Sequence, residues 1–212
     1  MTGSVIDETR KLGYVSPMPS LIFVTHPEVV IDPQVPVPDW PLSGVGRARM
    51  ENFAQAVAGR NISAIYASAE RKARDGAEIL ASRLGLPIVV DPDLGENDRS
   101  ATGYIAPPEF WEVVAEFFGR PHESIRGWER AVDAQTRIVK AVHRAAADET
   151  SGDIVIVSHG GVGSLLTDHL QKLEIGKGSR PSHPGGGCFL VTSRNPLALQ
   201  QDWRTIEDYQ AA

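Results

Sequence analysis

The chain has one cysteine, Cys188, in 212 residues, which excludes an intrachain disulfide framework and any multi-cysteine metal site and suits a reducing compartment. Cys188 lies in the apolar run Cys188-Phe189-Leu190-Val191 behind Gly185-Gly186-Gly187. A packing role is expected there, since a reactive thiol needs an electropositive, part-exposed niche. No apolar run approaches the roughly 20 residues that cross a bilayer, and the N-terminus has no signal-like apolar segment. The net charge of -6 gives no general attraction to phosphate backbones or anionic lipid. No nucleic-acid partner, no membrane partner and a cytoplasmic location are therefore expected. The six histidines form neither His-Glu-x-x-His nor a Cys/His set, so no metal site and no cofactor are expected. The Gly-x-Ser-x-Gly elbow of serine hydrolases is missing beside Ser158-His159. Gly161-Val162-Gly163 falls short of a dinucleotide loop, because Leu166 stands where its third glycine would be.

What is present is a repeated construction. Leu21-Ile22-Phe23-Val24 reads as a short buried strand that delivers Thr25-His26, with Pro27 ending it. Asp153 to Ser158 reads as a second such strand, followed at once by His159-Gly160-Gly161. In an open α/β sheet the carboxyl ends of the strands form the ligand crevice, so both histidines are expected in one site.

With 42% hydrophobic residues the chain has material for one substantial core, and one domain over residues 1–212 is expected, preceded by a surface arm over 1–20. The proline-rich stretch Pro27 to Pro41 reads as an extended loop over the site. Ser43 caps a helix carrying Met50, Phe53, Ala54 and Val57 that Gly59 ends. Strands are expected over 63–68, 87–90 and 188–192, with an edge strand over 197–203. Helices are expected over 70–84, from Pro107-Pro108 through Phe117, over 161–173, and from Trp128 to Ala146 with its buried stripe on Val132, Gln135, Val139 and Val142. The aromatic stripe Phe110, Trp111, Val114 and Phe117 reads as core. Strands and helices alternate throughout, which predicts a three-layer α/β/α sandwich around a largely parallel sheet.

The polar loop 91–102 places Glu96, Asp98 and Arg99 at a strand end, where reactive groups gather. His159-Gly160-Gly161 opens a helix whose free N–H groups favour an anion. One histidine as nucleophile, a second as donor and a carboxyl as proton source suit phosphoryl transfer through a phosphohistidine.

These stretches resemble the histidine phosphatase superfamily, the phosphoglycerate mutase-like proteins. Thr25-His26-Pro27-Glu28 is similar to the family's Arg-His-Gly-Glu, with its arginine and glycine replaced. Pro41-Leu42-Ser43-x-x-Gly46 is similar to its Leu-Thr-x-x-Gly helix start. The segment from Tyr66 through Arg71, Lys72 and Leu80 is similar to its Ser-Ser-Pro-x-x-Arg-Ala-x-x-Thr-Ala, with Lys72 in place of the arginine. Leu94-Gly95-Glu96 is similar to the Leu-x-Glu that supplies the proton donor, and Val157-Ser158-His159-Gly160-Gly161-Val162 matches the second histidine motif intact.

The resemblance implies a phosphoglycerate mutase-like fold and a metal-independent phosphomonoester hydrolase acting on a small phosphorylated substrate, with inorganic phosphate as product. His26 is then the nucleophile, Glu96 the proton donor, and His159, Lys72, Thr25 and Gly160 the phosphate ligands. Arg71, Arg99 and Arg180 are further basic candidates around the site, for each of which a solvated surface charge is the readier reading, and Glu28 is equally readable as a loop surface carboxylate. Thr25 and Lys72 replace the rigid bidentate fork of arginine with a hydroxyl and a point charge. A noncatalytic phosphate-ligand or protein-binding member is the alternative, and no visible feature identifies a phosphoglycerate-type mutase.

Overall fold

The computed structural model describes residues 19–210; of the expected arm, residues 1–18 lie outside them. Six strands form one sheet in the order β3-β2-β4-β1-β5-β6: β1 (Ser20–Thr25), β2 (Ile62–Ala67), β3 (Ile88–Val90), β4 (Asp153–Ser158), β5 (Cys188–Arg194) and β6 (Leu197–Thr205). The pairs β1–β4, β4–β2 and β2–β3 are parallel. β5 and β6 are antiparallel additions at one edge, joined by a turn too short for a crossover helix.

Alternation along the central strands divides the core. Leu21 and Phe23 of β1, with Ile154 and Ile156 of β4, pack on one face against α3 (Glu109–Gly119), α4 (Ala131–Ala146) and α5 (Gly160–Leu170). Ile22 and Val24, with Val155 and Val157, pack on the other against α1 (Gly44–Val57) and α2 (Arg71–Leu84). The expected three layers are present. Ser43 caps α1 by accepting from the Gly46 N–H at 3.0 Å, and the helix buries Met50, Phe53 and Val57. Each such side chain contributes roughly 1.5–3 kcal/mol by leaving water, so truncating Phe53 would cost more than any surface ion pair here.

Two expectations need correction. α4 buries Ala131, Ala134, Ile138, Ala141, Val142, Ala145 and Ala146; Val142 and Ala146 are as expected, but Ala131, Ala134 and Ile138 take the places expected of Val132, Gln135 and Val139. Small alanines carry little hydrophobic signal in a sequence, yet they let the helix pack closely against α5. Trp128 is buried ahead of the helix rather than within it. In α3 the core residues are Val113 and Phe117; Phe110 and Val114 are half-buried and Trp111 is 61% exposed.

Candidate active site

Thr25 and Ser158 are register partners on neighbouring parallel strands, so the residues after them leave the sheet side by side. The His26 N–H donates to the Ser158 carbonyl at 3.0 Å, and the two imidazole rings meet edge to face with centroids 5.2 Å apart. His26 Nδ1 lies 2.8 Å from the Pro27 carbonyl oxygen. A carbonyl only accepts, so the proton sits on Nδ1 and Nε2 carries a bare lone pair. Burial, with the His159 ring and the Lys72 ammonium adding to it, lowers the His26 pKa to about 3, and the ring is neutral over the physiological range. Gly186 secures the same backbone: at φ +63° it passes so close that a Cβ would stand 2.3 Å from the His26 carbonyl oxygen. The neighbouring Gly187 N–H donates to that oxygen at 3.0 Å.

Glu96 arrives from the loop after β3. Arg137 of α4 grips this loop, donating to the carbonyls of Asp93, Gly95 and Glu96, and Ser158 Oγ donates to the Leu94 carbonyl at 2.7 Å. The carboxylate accepts from the N–H groups of Gly161 at 3.0 Å and Val162 at 2.9 Å. It is thus itself the anion seated on the N-terminus of α5, where free N–H groups and the helix dipole favour negative charge. Gly161 makes room for it, since a Cβ there would lie 2.5 Å from Glu96 Oε1. Arg99 stands 3.1 Å from Glu96 Oε2, its guanidinium 5.2 Å from the ring centres of both Phe110 and Trp128. Burial pushes the Glu96 carboxyl up, but Arg99, His159 and the Gly161 N–H outweigh it and leave the pKa below the ordinary value.

Glu70, the residue before α2, had drawn no functional reading. Its Oε1 accepts from the Glu96 N–H at 2.8 Å and lies 3.3 Å from His159 Nε2, while Oε2 pairs with the Lys72 ammonium. Burial would raise this carboxyl; His159 and Lys72 outweigh it and hold the pKa at about 2. His159 is fully buried, its Nε2 also 2.8 Å from Ser68 Oγ. Burial is the main cause that lowers its pKa, so it too is neutral. Lys72 is 5% exposed and spends a second hydrogen bond on the Val37 carbonyl at 3.0 Å.

A cavity of about 1170 Å³ opens above these groups. Thr25, His26, Glu96, Arg99, Gly160 and Gly161 line its inner end, and Phe110, Trp111, Val114, Phe118, Ile175 and Arg180 its outer part. Lys72, Glu70 and His159 lie behind this surface. Thr25 is 2% exposed and its Oγ1 accepts from the Cys188 N–H at 3.0 Å. Two candidates lie elsewhere. Arg71 is exposed in a shallow cleft with Asp39, Arg74 and Glu78, and the exposed Glu28 accepts from Ser43 Oγ at 2.7 Å, fastening the proline-rich loop to α1. That loop does not line the cavity; it meets the site through the Pro27 carbonyl on His26 and the Val37 carbonyl on Lys72. Glu70 and Arg137 were the residues missed. The one available signal was for Glu70, a carboxylate two positions from Lys72 at a strand-to-helix turn. Among the described residues no cluster of His, Cys, Asp and Glu is arranged to hold a metal ion, and no helix is long and apolar enough to cross a membrane.

Comparison with known proteins places these features in a wider set. The model of the histidine phosphatase superfamily (branch 1) matches residues 21–196. The uncharacterized protein Rv0525 of Mycobacterium tuberculosis (strain ATCC 25618 / H37Rv) is 29% identical over 135 residues, 58% of this chain and 62% of that protein, so the match spans less than two thirds of the relative's length. The fold is shared with the mycobacterial glucosyl-3-phosphoglycerate phosphatase Rv2419c in complex with inorganic phosphate, at TM-score 0.70 and 22% identity over 92% of this chain and 100% of that one. It is also shared with Bacillus stearothermophilus YhfR, at TM-score 0.72 and 20% identity over 91% and 98% of the two chains, and with the alpha-ribazole phosphatase of Shigella flexneri, at 0.64 and 19% over 86% and 95%.

Proposed function

Since the chain belongs to the histidine phosphatase superfamily, we propose that it hydrolyses small phosphomonoesters through a phosphohistidine on His26. The observation that carries this reading is the tautomer of His26: Nδ1–H is committed to the Pro27 carbonyl, and a neutral Nε2 lone pair stands at the inner end of the cavity. A nucleophile needs that lone pair, and burial keeps it unprotonated.

In the first step Nε2 of His26 bonds to phosphorus while the ester P–O bond breaks, its electron pair leaving with the alcohol oxygen. That oxygen needs a proton. Glu96 is ionised in the empty site, so the proton enters with a monoanionic ester, and the phosphate charge beside Glu96 favours its passage onto the carboxylate. In the second step water attacks phosphorus, the P–N bond breaks, the water's proton goes to Glu96, and the His26 lone pair is restored. The products are the alcohol and inorganic phosphate. Thr25, Gly160 and Arg99 surround the phosphate; His159 and Lys72 join them once Glu70 lets go.

A second reading has its own support. Because Glu70 already holds Lys72 and His159, a site that binds phosphate esters without cleaving them fits the same residues. Rapid-quench labelling with a broad panel of phosphate esters separates the two: an acid-labile phosphohistidine in the wild type and none in His26→Ala is the expected result. Ester binding with neither labelling nor turnover in the wild type would establish the noncatalytic reading instead.

A further inference from the structure

The outer part of the cavity is more than inorganic phosphate needs, since whole ligand sites run to roughly 300–1,000 Å³. Its wall is apolar and ring-bearing, built by Phe110, Trp111, Val114, Phe118 and Ile175. Within that wall stands one half-buried cation. The Arg180 guanidinium lies 3.7 Å from the centre of the Phe118 ring, and among the described residues it meets no carboxylate within ion-pair distance. Its nearest acidic influence, Asp168, is spent on the loop backbone, accepting from Gly176 at 2.8 Å and Gly178 at 2.6 Å.

Those two bonds also fix Arg180 in place. Asp168 is 1% exposed, so it anchors the loop after α5 from inside the core. Gly176, at φ +92°, lets the loop close on α3, where a Cβ would stand 3.1 Å from the Phe118 carbonyl oxygen. Pro181, the next residue after Arg180, packs beside Gly160 at the reactive end. The Phe118 face offsets part of the cost of half-burying this guanidinium, and among the described residues no carboxylate neutralises it, so its in-plane N–H groups can meet an anion. Burial draws its pKa below the usual guanidinium range, with Asp168 opposing. The carboxylates elsewhere on the cavity surface do not supply the anion: Glu96 is engaged with α5 and Arg99, and Glu174 is exposed at the rim.

We propose that Arg180 is the anchor of a second anion subsite, and that the substrate is a phosphomonoester whose leaving group carries an apolar, ring-sized body ending in a carboxylate. A planar guanidinium fork matches a carboxylate in two parallel hydrogen bonds, and one half-buried positive charge is matched by one negative charge. The aromatic wall takes the body between the two anions. Phosphate hydrolysis at His26 is the reading on which the kinetic form of this inference rests; its binding form stands alone.

The test uses aryl phosphates carrying a carboxylate on spacers of one to four carbons, each beside its methyl ester, which keeps the shape and removes the charge. The expected result is a kcat/KM at least about tenfold higher for the acid at one spacer length. That preference should vanish in Arg180→Gln and reverse in Arg180→Glu, which should favour the aminomethyl analogue. The matching aryl phosphonates, titrated by calorimetry, read the same preference without turnover. Acid preference in the phosphonates with no hydrolysis of any ester would sustain the subsite and end the hydrolase reading. Hydrolysis with acid and ester equal at every spacer would do the reverse. A preference that survives both Arg180 substitutions, or a failure of every phosphonate to bind, overturns the subsite.

Discussion

Glu70 Oε1 lies 3.3 Å from Nε2 of His159, so a carboxylate already stands against the ring expected to face a phosphate oxygen. The same carboxylate takes the Lys72 ammonium. The Lys72 ammonium and the backbone N–H of Glu96 donate to it and the His159 ring stands beside it, as such groups would gather around a bound oxyanion. Among the described residues, the charges nearest the two histidines cancel: Lys72 and Arg99 against Glu70 and Glu96.

Removing the Glu70 charge should therefore strengthen anion binding. Two unit charges about 4 Å apart interact by roughly 4 kcal/mol at an effective dielectric constant near 20, and a third of that is about a tenfold change in affinity. Glu70→Gln should bind phosphate and vanadate about tenfold tighter than the wild type in calorimetric titration. Weaker binding in the variant would mean that Glu70 positions Lys72 and His159 for the ligand rather than competing with it.

Glu96 has two duties, and substitution should separate them. As proton donor it matters most for leaving groups of high pKa, where general acid catalysis contributes on the order of 10²–10⁴ in rate. Glu96→Gln should slow alkyl phosphates by that order and nitrophenyl phosphate far less. As the acceptor for Gly161 and Val162 it caps α5, and a glutamine keeps one of its two acceptor oxygens. A loss of about 1 kcal/mol, near 2–4 °C in melting temperature for a chain of this size, is expected. Equal slowing of both ester classes would assign Glu96 to the cap alone.

The sheet, the pairing of the two histidines and the place of Glu96 were legible because each rests on a local signal: an apolar run, a turn, and a polar residue at the strand's end. The parallel register of Thr25 with Ser158 turns two such local patterns into one site. What could not be read is where buried carboxylates point. Glu70 sits in a turn, and its direction is decided by Lys72 beside it together with His159 and the Glu96 N–H, both far away in sequence. Glu96 itself reaches a helix that begins 64 residues later. The aromatic stripe of α3 misled for a related reason. Periodicity reports which residues share a helix face, not whether a cavity opens over that face.

Gly186 offers a test of how His26 is held. Alanine there would be strained at φ +63° and would bring its Cβ to 2.3 Å from the His26 carbonyl oxygen, a clash with backbone that only movement relieves. A cost of about 2 kcal/mol or more is expected, or roughly 5 °C or more in melting temperature, together with loss of the Nδ1–H resonance bonded to Pro27. Gly185→Ala is the control, since its Cβ would make ordinary contacts from 3.4 Å outward and should be mild. Similar behaviour of the two variants would show that the Gly186 approach does not position His26.

The buried ionisable groups also set how stability responds to acid. His26 goes from an ordinary 6.5 to about 3 on folding, so below pH 6.5 the unfolded chain takes up a proton that the folded chain refuses. Its contribution is fully present above 6.5 and is lost progressively as pH falls toward 3. Glu70, moved from 4.5 to about 2, has the same sign but acts lower: its stabilisation is complete above 4.5 and lost as pH falls toward 2. Denaturant midpoints should therefore begin to fall below pH 6.5, before any carboxylate titrates, and fall more steeply below 4.5. His26→Asn, which keeps a donor for the Pro27 carbonyl, should flatten the upper part of that decline. His159, also lowered by burial, leaves some slope behind. An unchanged decline between pH 6.5 and 4.5 in His26→Asn would mean that folded His26 accepts a proton near neutrality, and the nucleophile would then lack its lone pair in acid.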